Sequence, residues 1–474
     1  MKTSLFDQVD KGLIDFAGLE KIIWKSSLTL FQHLIVKILE EIDKFLMATR
    51  DKERYELKEK KERTLQTLVG PITIQRRYYW DKEEASWVYL LDQALKLEQY
   101  EAISPGLMQL AVTWAVKGPS YRDARDRLAD LYGAQVLSHE AIRQAVLEVG
   151  EATAREDENK IIREEGKRQV KALFIEVDGF GARIQKPKRG EKRRREVKLA
   201  VIHEGWERRQ GRDKKQDYRL VNPIYIPIVK ENKDFWEYTR GRLKAIYKDL
   251  DSIPVVINGD GTAWIREGAD SFGKGIYQYD RFHVARTLRE ALKNRPKELK
   301  EARKALKNND MGKLLCEVTD AWKKADEREK EKLEALKDML LENHKYIRDY
   351  RIRLKEAGEE ISDDWRSMGA AESNVDKFKN RTAKRGRAWS QKGLQAIVTM
   401  LSKLYEGDIS KCIPRHLEEK EEWILDKIKD GGGSIIKKIK TESQGVIHGG
   451  FPATDRGTQG FATLFRSILR AENF

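Results

Sequence analysis

The sequence predicts a mixed α/β protein. A five-stranded mixed sheet with helices is interrupted by an all-helical insertion, and a mainly helical N-terminal region carries a small β-hairpin. Three observations predict this. Apolar residues recur at helical spacing over 11–48 and 104–150. Five short β-prone runs then fall between residues 171 and 280, with one helical stretch, Phe235 to Leu250, after the third. Residues 284–368 return to helical spacing with no β signal. Three strands, a helix and two more strands make a mixed sheet in an α/β layer.

The elements follow in order. Ile14, Leu19, Ile22, Ile23, Leu30, Leu34, Ile38, Ile42 and Phe45 place one or two packing or oligomerisation helices over 11–48. Arg50 to Arg63 is a charged stretch. Gly70-Pro71 is a turn signal between two β-prone runs in Thr67–Trp80, hence the hairpin. Ser104-Pro105 starts a helix and Gly118-Pro119 stops it. Ser120 caps the next, Gly133 ends it, and Ser138 caps a third. Helix, glycine turn and a helix with a polar start is the pattern of a helix-turn-helix, although any bundle shares it. Arg143 is the candidate DNA contact there.

The five strands are Lys171–Asp178, Glu196–His203, Asn222–Val229, Ile253–Asp260 and Gly275–Asp280. Helices follow at Ala370–Lys384 and Trp389–Tyr405. Asp430–Ser434 is a flexible break, and a short amphipathic helix lies near Phe461–Leu469. The expected division is a helical region with hairpin at 1–100 for dimerisation or DNA-end binding, and a helical DNA-binding region at 101–168. The first part of the core covers 169–285, the insertion 286–368, the final core helix 369–410 and a helical tail 411–474.

The chain has 474 residues, more than one ordinary core holds. Its 40% hydrophobic and 9% aromatic residues exclude a disordered chain. No apolar run is read as reaching the roughly 18–20 residues of a bilayer span, and Met1–Asp7 has no signal-peptide core, so no membrane is expected. Two cysteines, Cys316 and Cys412, exclude a disulfide framework or a four-thiolate zinc site and point to a reducing, cytoplasmic setting. A net charge of +15 predicts a polyanionic partner, nucleic acid before membrane.

That charge is concentrated. Residues 183–198 carry nine Lys/Arg and two Glu, and residues 377–392 carry seven Lys/Arg and no acid, a net +7 each. Both segments adjoin candidate carboxylates. Asp178 and Asp260 each end an apolar strand and precede glycine, where α/β sheets place active sites. Glu372 lies in the helix after the insertion and could present a third carboxylate. Carboxylates holding hard cations, with Lys/Arg on the phosphates, are the equipment of phosphoryl transfer on nucleic acid. Lys192, Arg193, Arg194 and Arg195 in the first segment, and Lys379, Arg381, Lys384, Arg385 and Arg387 in the second, are the candidate phosphate contacts.

Asp280 and His283 read two ways: as an auxiliary pair in the site, or as a helix cap with a packing histidine. Glu176 shares the strand face of Asp178 and reads as an exposed strand glutamate, and His203 reads as structural. A phosphate-cradling GxxxxGK[ST] loop, a dinucleotide fingerprint, a zinc finger and a tyrosine-recombinase constellation are all absent from the sequence.

Four blocks carry a family likeness: Phe174-Ile-Glu-Val-Asp-Gly-Phe180, Asn258-Gly-Asp-Gly-Thr-Ala-Trp-Ile265, Tyr279-Asp-Arg-Phe-His-Val284, and Ala371-Glu-Ser-Asn374 through Arg387-Ala-Trp-Ser390. Leu90-Leu-Asp92 and Gly118-Pro-Ser-Tyr-Arg122 also fit. On these the chain resembles the ISLre group of bacterial insertion-sequence transposases, a group also classed as an uncharacterised protein family. The resemblance implies an RNase H-like catalytic core with a DDE triad, which by motif position is Asp178, Asp260 and Glu372, holding Mg²⁺ or Mn²⁺. It also implies a basic residue seven positions after the glutamate, here Lys379, with donor-end cleavage and strand transfer into target DNA. The partners would be the element's terminal inverted repeats and target DNA, paired by a homodimer or higher oligomer in the bacterial nucleoid. The helical insertion accounts for the long interval between Asp260 and Glu372. The long basic connection over 183–219 departs from the pattern and reads as a DNA-binding flap or a plain loop. Two further readings stay open: an inactive, transposase-derived DNA-binding protein, and a metal-dependent nuclease without strand transfer.

Overall fold

The computed structural model describes residues 12, 14–97, 102–185, 192–209, 217–229 and 234–412. The expected break at Asp430–Ser434, the helix near Phe461–Leu469 and the middle of the first basic segment, 186–191, lie outside the described residues. The described residues divide into two compact units, one up to Ala145 and one from Val146 to Cys412.

In the first unit, one helix, α1 (Phe16–Thr49), fills the region where one or two were expected. Asp15 caps it by accepting from the Gly18 N–H at 2.8 Å. Ile35, Val36, Leu39, Ile42 and Leu46 pack on Leu65, Ile72 and Ile74 of a three-stranded antiparallel sheet, β1 (Tyr55–Thr67), β2 (Gly70–Asp81) and β3 (Ser86–Val88). Leu91 of α2 (Leu90–Ala94) joins that core. The sheet is larger than the expected hairpin, because the charged stretch before Arg63 forms most of β1. Its Glu and Lys side chains are exposed, and the ladder to β2 supplies the bonds that hold it. The tight turn is Leu68-Val69, since Thr67 already pairs with Gly70.

The expectation of no span-length apolar run does not hold for α1. It is long and apolar enough to cross a membrane by length and composition. Between Ile22 and Val36 the sequence carries a full charge only at Lys25. The helices α3 (Pro105–Lys117), α4 (Tyr121–Tyr132) and α5 (His139–Arg163) start where serines cap them. Ser104, Ser120 and Ser138 accept from Leu107, Asp123 and Ala141 N–H at 3.3, 3.0 and 3.0 Å.

The second unit is built on β4 (Leu173–Ile184), β5 (Arg194–His203), β6 (Trp206–Arg209), β7 (Asp217–Leu220), β8 (Ile224–Ile228), α6 (Phe235–Lys244), β9 (Pro254–Gly259), α7 (Ala263–Arg266) and β10 (Lys274–Tyr279). The sheet order is β10-β9-β4-β5-β8, with β4, β9 and β10 parallel and β4, β5 and β8 antiparallel. All five expected strands are in this mixed sheet. The short ribbon β6–β7 was missed because its residues are too charged to carry an apolar alternation. Alternate residues of β4 face opposite layers. Leu173, Ile175 and Val177 pack with Phe235, Trp236 and Leu243 of α6, while Phe174 packs with Val256, Tyr350 and Trp365.

Five helices follow: α8 (Arg281–Ala291), α9 (Pro296–Lys307), α10 (Met311–Lys323), α11 (Glu327–Ile347) and α12 (Tyr350–Glu356). Val284, Leu288, Leu306, Leu314, Leu333 and Leu340 belong to a core of their own within this stretch. The chain then returns to the sheet with α13 (Ala371–Thr382), a two-residue strand β11 (Ala388–Trp389) and α14 (Gln391–Glu406).

The edge strand β8 has an unusual outer side. Val201 pairs with Tyr225 and Leu199 with Pro227, so residues 225, 227 and 229 turn their N positions away from β5. The Tyr225 N–H donates to Glu406 Oε1 at 2.9 Å and the Val229 N–H to Gln395 Oε1 at 3.3 Å. Pro227, between them, has no N–H.

Candidate active site

The sheet aligns three aspartates. Phe174 pairs with Val256 and Glu176 with Asn258, so two further steps along the same register set Asp178 beside Asp260. Tyr279 pairs with Gly259, and the Asp280 N–H donates to the Gly259 carbonyl at 2.8 Å, which sets Asp280 on the other side of Asp260. Asp178, Asp260 and Asp280 thus form one row across three parallel strands, about 4.8 Å apart. Asp260 and Asp280 follow the last residues of β9 and β10, whereas β4, expected to end at Asp178, continues beside β5 to Ile184, so Asp178 stands at its middle. On its side facing β9, β4 pairs with β9 only up to Glu176 and with β11 only from Arg183. Asp178 stands in the gap between them.

Each aspartate is held differently. Asp178 accepts from the Gly179 N–H at 2.7 Å. Burial pushes its carboxyl up, and the neighbouring Asp260 adds to that, while the Gly179 N–H, Lys379 and His283 pull it back. Asp260 accepts from Thr262 N–H and Oγ1–H at 3.1 and 2.9 Å, which closes a local turn. Gly261 makes that turn with φ +94°, and a Cβ there would stand 2.5 Å from the Tyr279 ring. Asp280 is buried. It caps α8 by accepting from the Phe282 N–H at 2.9 Å and accepts from His283 Nδ1 at 2.8 Å. That bond raises the His283 ring above its ordinary value against burial, and the fields of Asp178 and Asp260 act in the same direction. The cap reading of this pair holds, and the same carboxylate also fixes the His283 ring.

Helix α13 lies over this face. Ala371, Asn374, Val375, Phe378, Arg381 and Thr382 are its buried side. Glu372 and Lys379 share another side, two turns apart. The charge of Lys379 reaches Asp178. Glu372 is exposed in the first turn. Among the described residues, no three His, Cys, Asp or Glu side chains stand close enough together to hold a metal ion. Asp178 and Asp260 offer a pair of hard oxygen donors, and among the described residues neither forms an ion pair, which suits a hard divalent cation that keeps much of its water. Glu372 does not close that set. On the other flank of α13, a cleft of about 1280 Å³ runs past Ser373 and Lys377 towards Tyr225 and Tyr247.

The basic candidates separate by environment. Arg381 is buried, its guanidinium 5.1 Å from the Trp389 ring centroid, so it packs the helix and is not placed to meet a phosphate. The expected phosphate role of Arg381 is corrected on that ground. Lys384 pairs with Asp376 at 2.7 Å, and Arg387 donates to the Asn380 carbonyl. Arg385 is exposed in a left-handed turn (φ +61°). Lys192, Arg193 and Arg194 are exposed where β5 begins, and Arg195 is half-buried. Arg143 donates to Glu140 at 2.9 Å on the first turn of α5. Glu176, expected to be exposed, is fully buried. The available signal was its place inside the unbroken run Leu173–Val177, where its face neighbour is Phe174.

A family model described as "Uncharacterised protein family (UPF0236)" matches residues 9–418. A UPF0236 protein of Caldanaerobacter subterraneus subsp. tengcongensis is 28% identical over 373 residues, covering 77% of this chain and 73% of its own length. Another from the same organism, whose name joins eleven locus designations, is 26% identical over 404 residues, covering 84% and 79%. A UPF0236 protein of Streptococcus gallolyticus, named for the vanSb 3′ region, is 26% identical over 385 residues and covers 80% of each chain. Among solved structures, the Drosophila P element transposase strand transfer complex is similar at 10% identity, covering 81% of this chain and 95% of that one, with a TM-score of 0.21, too low to equate the folds.

Proposed function

The chain belongs to the uncharacterised protein family UPF0236, and from its own geometry we propose that it is a DDE-type transposase of a bacterial insertion sequence. The observation that carries this reading is the row of Asp178, Asp260 and Asp280 across three adjacent parallel strands, beneath the helix that bears Glu372 and Lys379. The sheet order, with β4 central, β5 and β8 continuing from it in alternating directions on one side and β9 and β10 parallel to it on the other, supports an RNase H-like core. The eleven locus designations under one relative's name support a gene that multiplies within its genome.

In this reading Asp178 and Asp260 would hold Mg²⁺ or Mn²⁺, and Glu372, which stands outside that pair in this structure, would join them as the third ligand once α13 shifts towards the strands. Two such ions would activate the attacking oxygen and stabilise the leaving one in an in-line displacement. Lys379 holds the scissile phosphate next to Asp178. His283 is fixed through Nδ1 by Asp280, which leaves Nε2 to meet a leaving oxygen. Exposed Lys192, Arg193, Arg194 and Arg385 follow the DNA backbone, with Lys384 and Arg387 beside it. The substrates are the element's terminal inverted repeats and target DNA in the bacterial cytoplasm, with two ends paired by a homodimer or larger assembly.

The test uses purified protein, DNA carrying the element's ends, and Mg²⁺ or Mn²⁺. Asp178→Asn, Asp260→Asn and Glu372→Gln should each abolish cleavage and leave DNA binding within about threefold of wild type. Strand-transfer products separate a transposase from a nuclease. Tight binding by the wild type without cleavage of any DNA favours an inactive, transposase-derived binding protein, the reading that the unclosed ligand set supports.

A further inference from the structure

Helix α13 begins without a cap of its own. Ala370 precedes it and has no side-chain acceptor. Its neighbours start differently: Asp280 caps α8, Asp349 caps α12 and Ser390 caps α14, each from the adjoining residue. The acceptor for α13 comes instead from β4. Glu176 Oε2 accepts from the Gly369 N–H at 3.0 Å and from the Ala371 N–H at 2.9 Å. Gly369 has φ +153°, a backbone that residues with side chains rarely adopt.

The rest of Glu176 is enclosed. Its exposure is 0%, as is that of His203, whose Nε2 stands 3.5 Å from Glu176 Oε1. Neither of those two atoms has a hydrogen-bond partner among the described residues. The His203 ring is bracketed by Phe174 and Trp206, with centroids 5.3 and 4.8 Å away, and its Nδ1 is engaged by Gly205. A buried carboxylate is costly, and an apolar side chain of the same size would fill this space at less cost. What the carboxylate adds is a fixed anchor at the positive end of a helix.

That anchor sits two residues before Asp178 on the same strand face, roughly 7 Å along the strand. Ala371, which it grips, adjoins Glu372. One side chain therefore ties the start of α13 to the strand that carries the first aspartate.

We propose that Glu176 is a positioning residue: by gripping Gly369 and Ala371 it sets where Glu372 and Lys379 stand relative to Asp178. The proposal rests on the reading of Asp178 and Glu372 as parts of one site. Glu176→Gln keeps an acceptor oxygen, whereas Glu176→Leu and Glu176→Met fill the space without one.

The test applies hydrogen exchange and Mn²⁺ binding, followed by electron paramagnetic resonance, to the full chain. In Glu176→Leu, amides of 369–379 should exchange about tenfold faster while those of 173–178 stay protected, and Glu176→Gln should exchange like wild type. Mn²⁺ affinity should fall about tenfold in Glu176→Leu and in Glu372→Gln, and the double variant should fall no further than either. Glu176→Met replaces Glu176→Leu if the latter does not fold. Unchanged exchange over 369–379 in a folded variant overturns the proposal, as do losses that multiply in the double variant. A wild type that binds no Mn²⁺ overturns the metal-site reading instead, and the exchange result then decides on Glu176 by itself.

Discussion

Asp280 serves His283 and the helix that carries it with one carboxylate: Oδ1 caps α8 at Phe282 and Oδ2 holds His283 Nδ1 at 2.8 Å. Asp280→Asn keeps the cap, since asparagine caps as well as aspartate, but removes the charge. The His283 ring lies above its ordinary value, so its contribution to stability is complete below about pH 6.5 and is lost as pH rises through the higher folded value. The variant should therefore lose more stability at pH 6 than at pH 9, by roughly 1–2 kcal/mol at the lower pH. Thermal melts in EDTA across that range check it; no loss at either end would assign Asp280 to capping alone.

Asp178 should cost the fold stability. Its carboxyl is raised by burial, so the folded state prefers the protonated form. Stability then falls as pH rises from the unfolded value, about 3.9, towards the folded one, and the penalty is complete at neutral pH. Asp178→Asn keeps an acceptor for the Gly179 N–H and removes the charge. Its melting temperature should exceed that of wild type at pH 7 without metal, with the gap closing near pH 3.5. A variant less stable than wild type at pH 7 would contradict this.

Arg381 and Arg385 should separate packing from phosphate contact. Arg381→Ala should lower stability by about 2–3 kcal/mol through the lost contact with Trp389, with the salt dependence of DNA affinity unchanged. Arg385→Ala should leave the melt alone and reduce the slope of log affinity against log salt by about one. Salt titrations on both variants decide, and the reverse pattern would return Arg381 to the interface.

Gly261→Ala should disturb Asp260 without touching any carboxylate. The left-handed φ and the approach to the Tyr279 ring together predict a loss of about 1–3 kcal/mol. Mn²⁺ affinity should fall with it. A variant that keeps both wild-type stability and Mn²⁺ binding would mean that the turn has room the geometry does not suggest.

What could be read from sequence follows the range of the interactions. Ser104, Ser120, Ser138 and Gly133 act on residues three or four positions away, so they marked the helices correctly. The apolar runs before Asp178 and Asp260 were legible for the same reason, but the end of β4 was not, because its polar second half, to Ile184, is held by backbone bonds to β5. Strand β1 was not, because its Glu/Lys run is stabilised by backbone bonds to β2 and not by an apolar face. Arg381 was misjudged although the signal existed: Asn374, Phe378 and Arg381 lie on one side of a helix. Glu176 could not have been assigned, because its donors come from Gly369 and Ala371, nearly two hundred positions later.

The outer side of β8 limits how this protein can associate. A bare strand edge recruits other chains by offering main-chain donors in sequence, the route by which sheets grow into fibres or swap strands. Here Glu406 and Gln395 occupy two of those donors and Pro227 lacks the third. An incoming strand would have to break both side-chain bonds and still find a missing rung. Copies of this chain at high local concentration can therefore crowd this edge against one another without zipping together through it, and this edge leaves any specific pairing of two copies to side-chain surfaces.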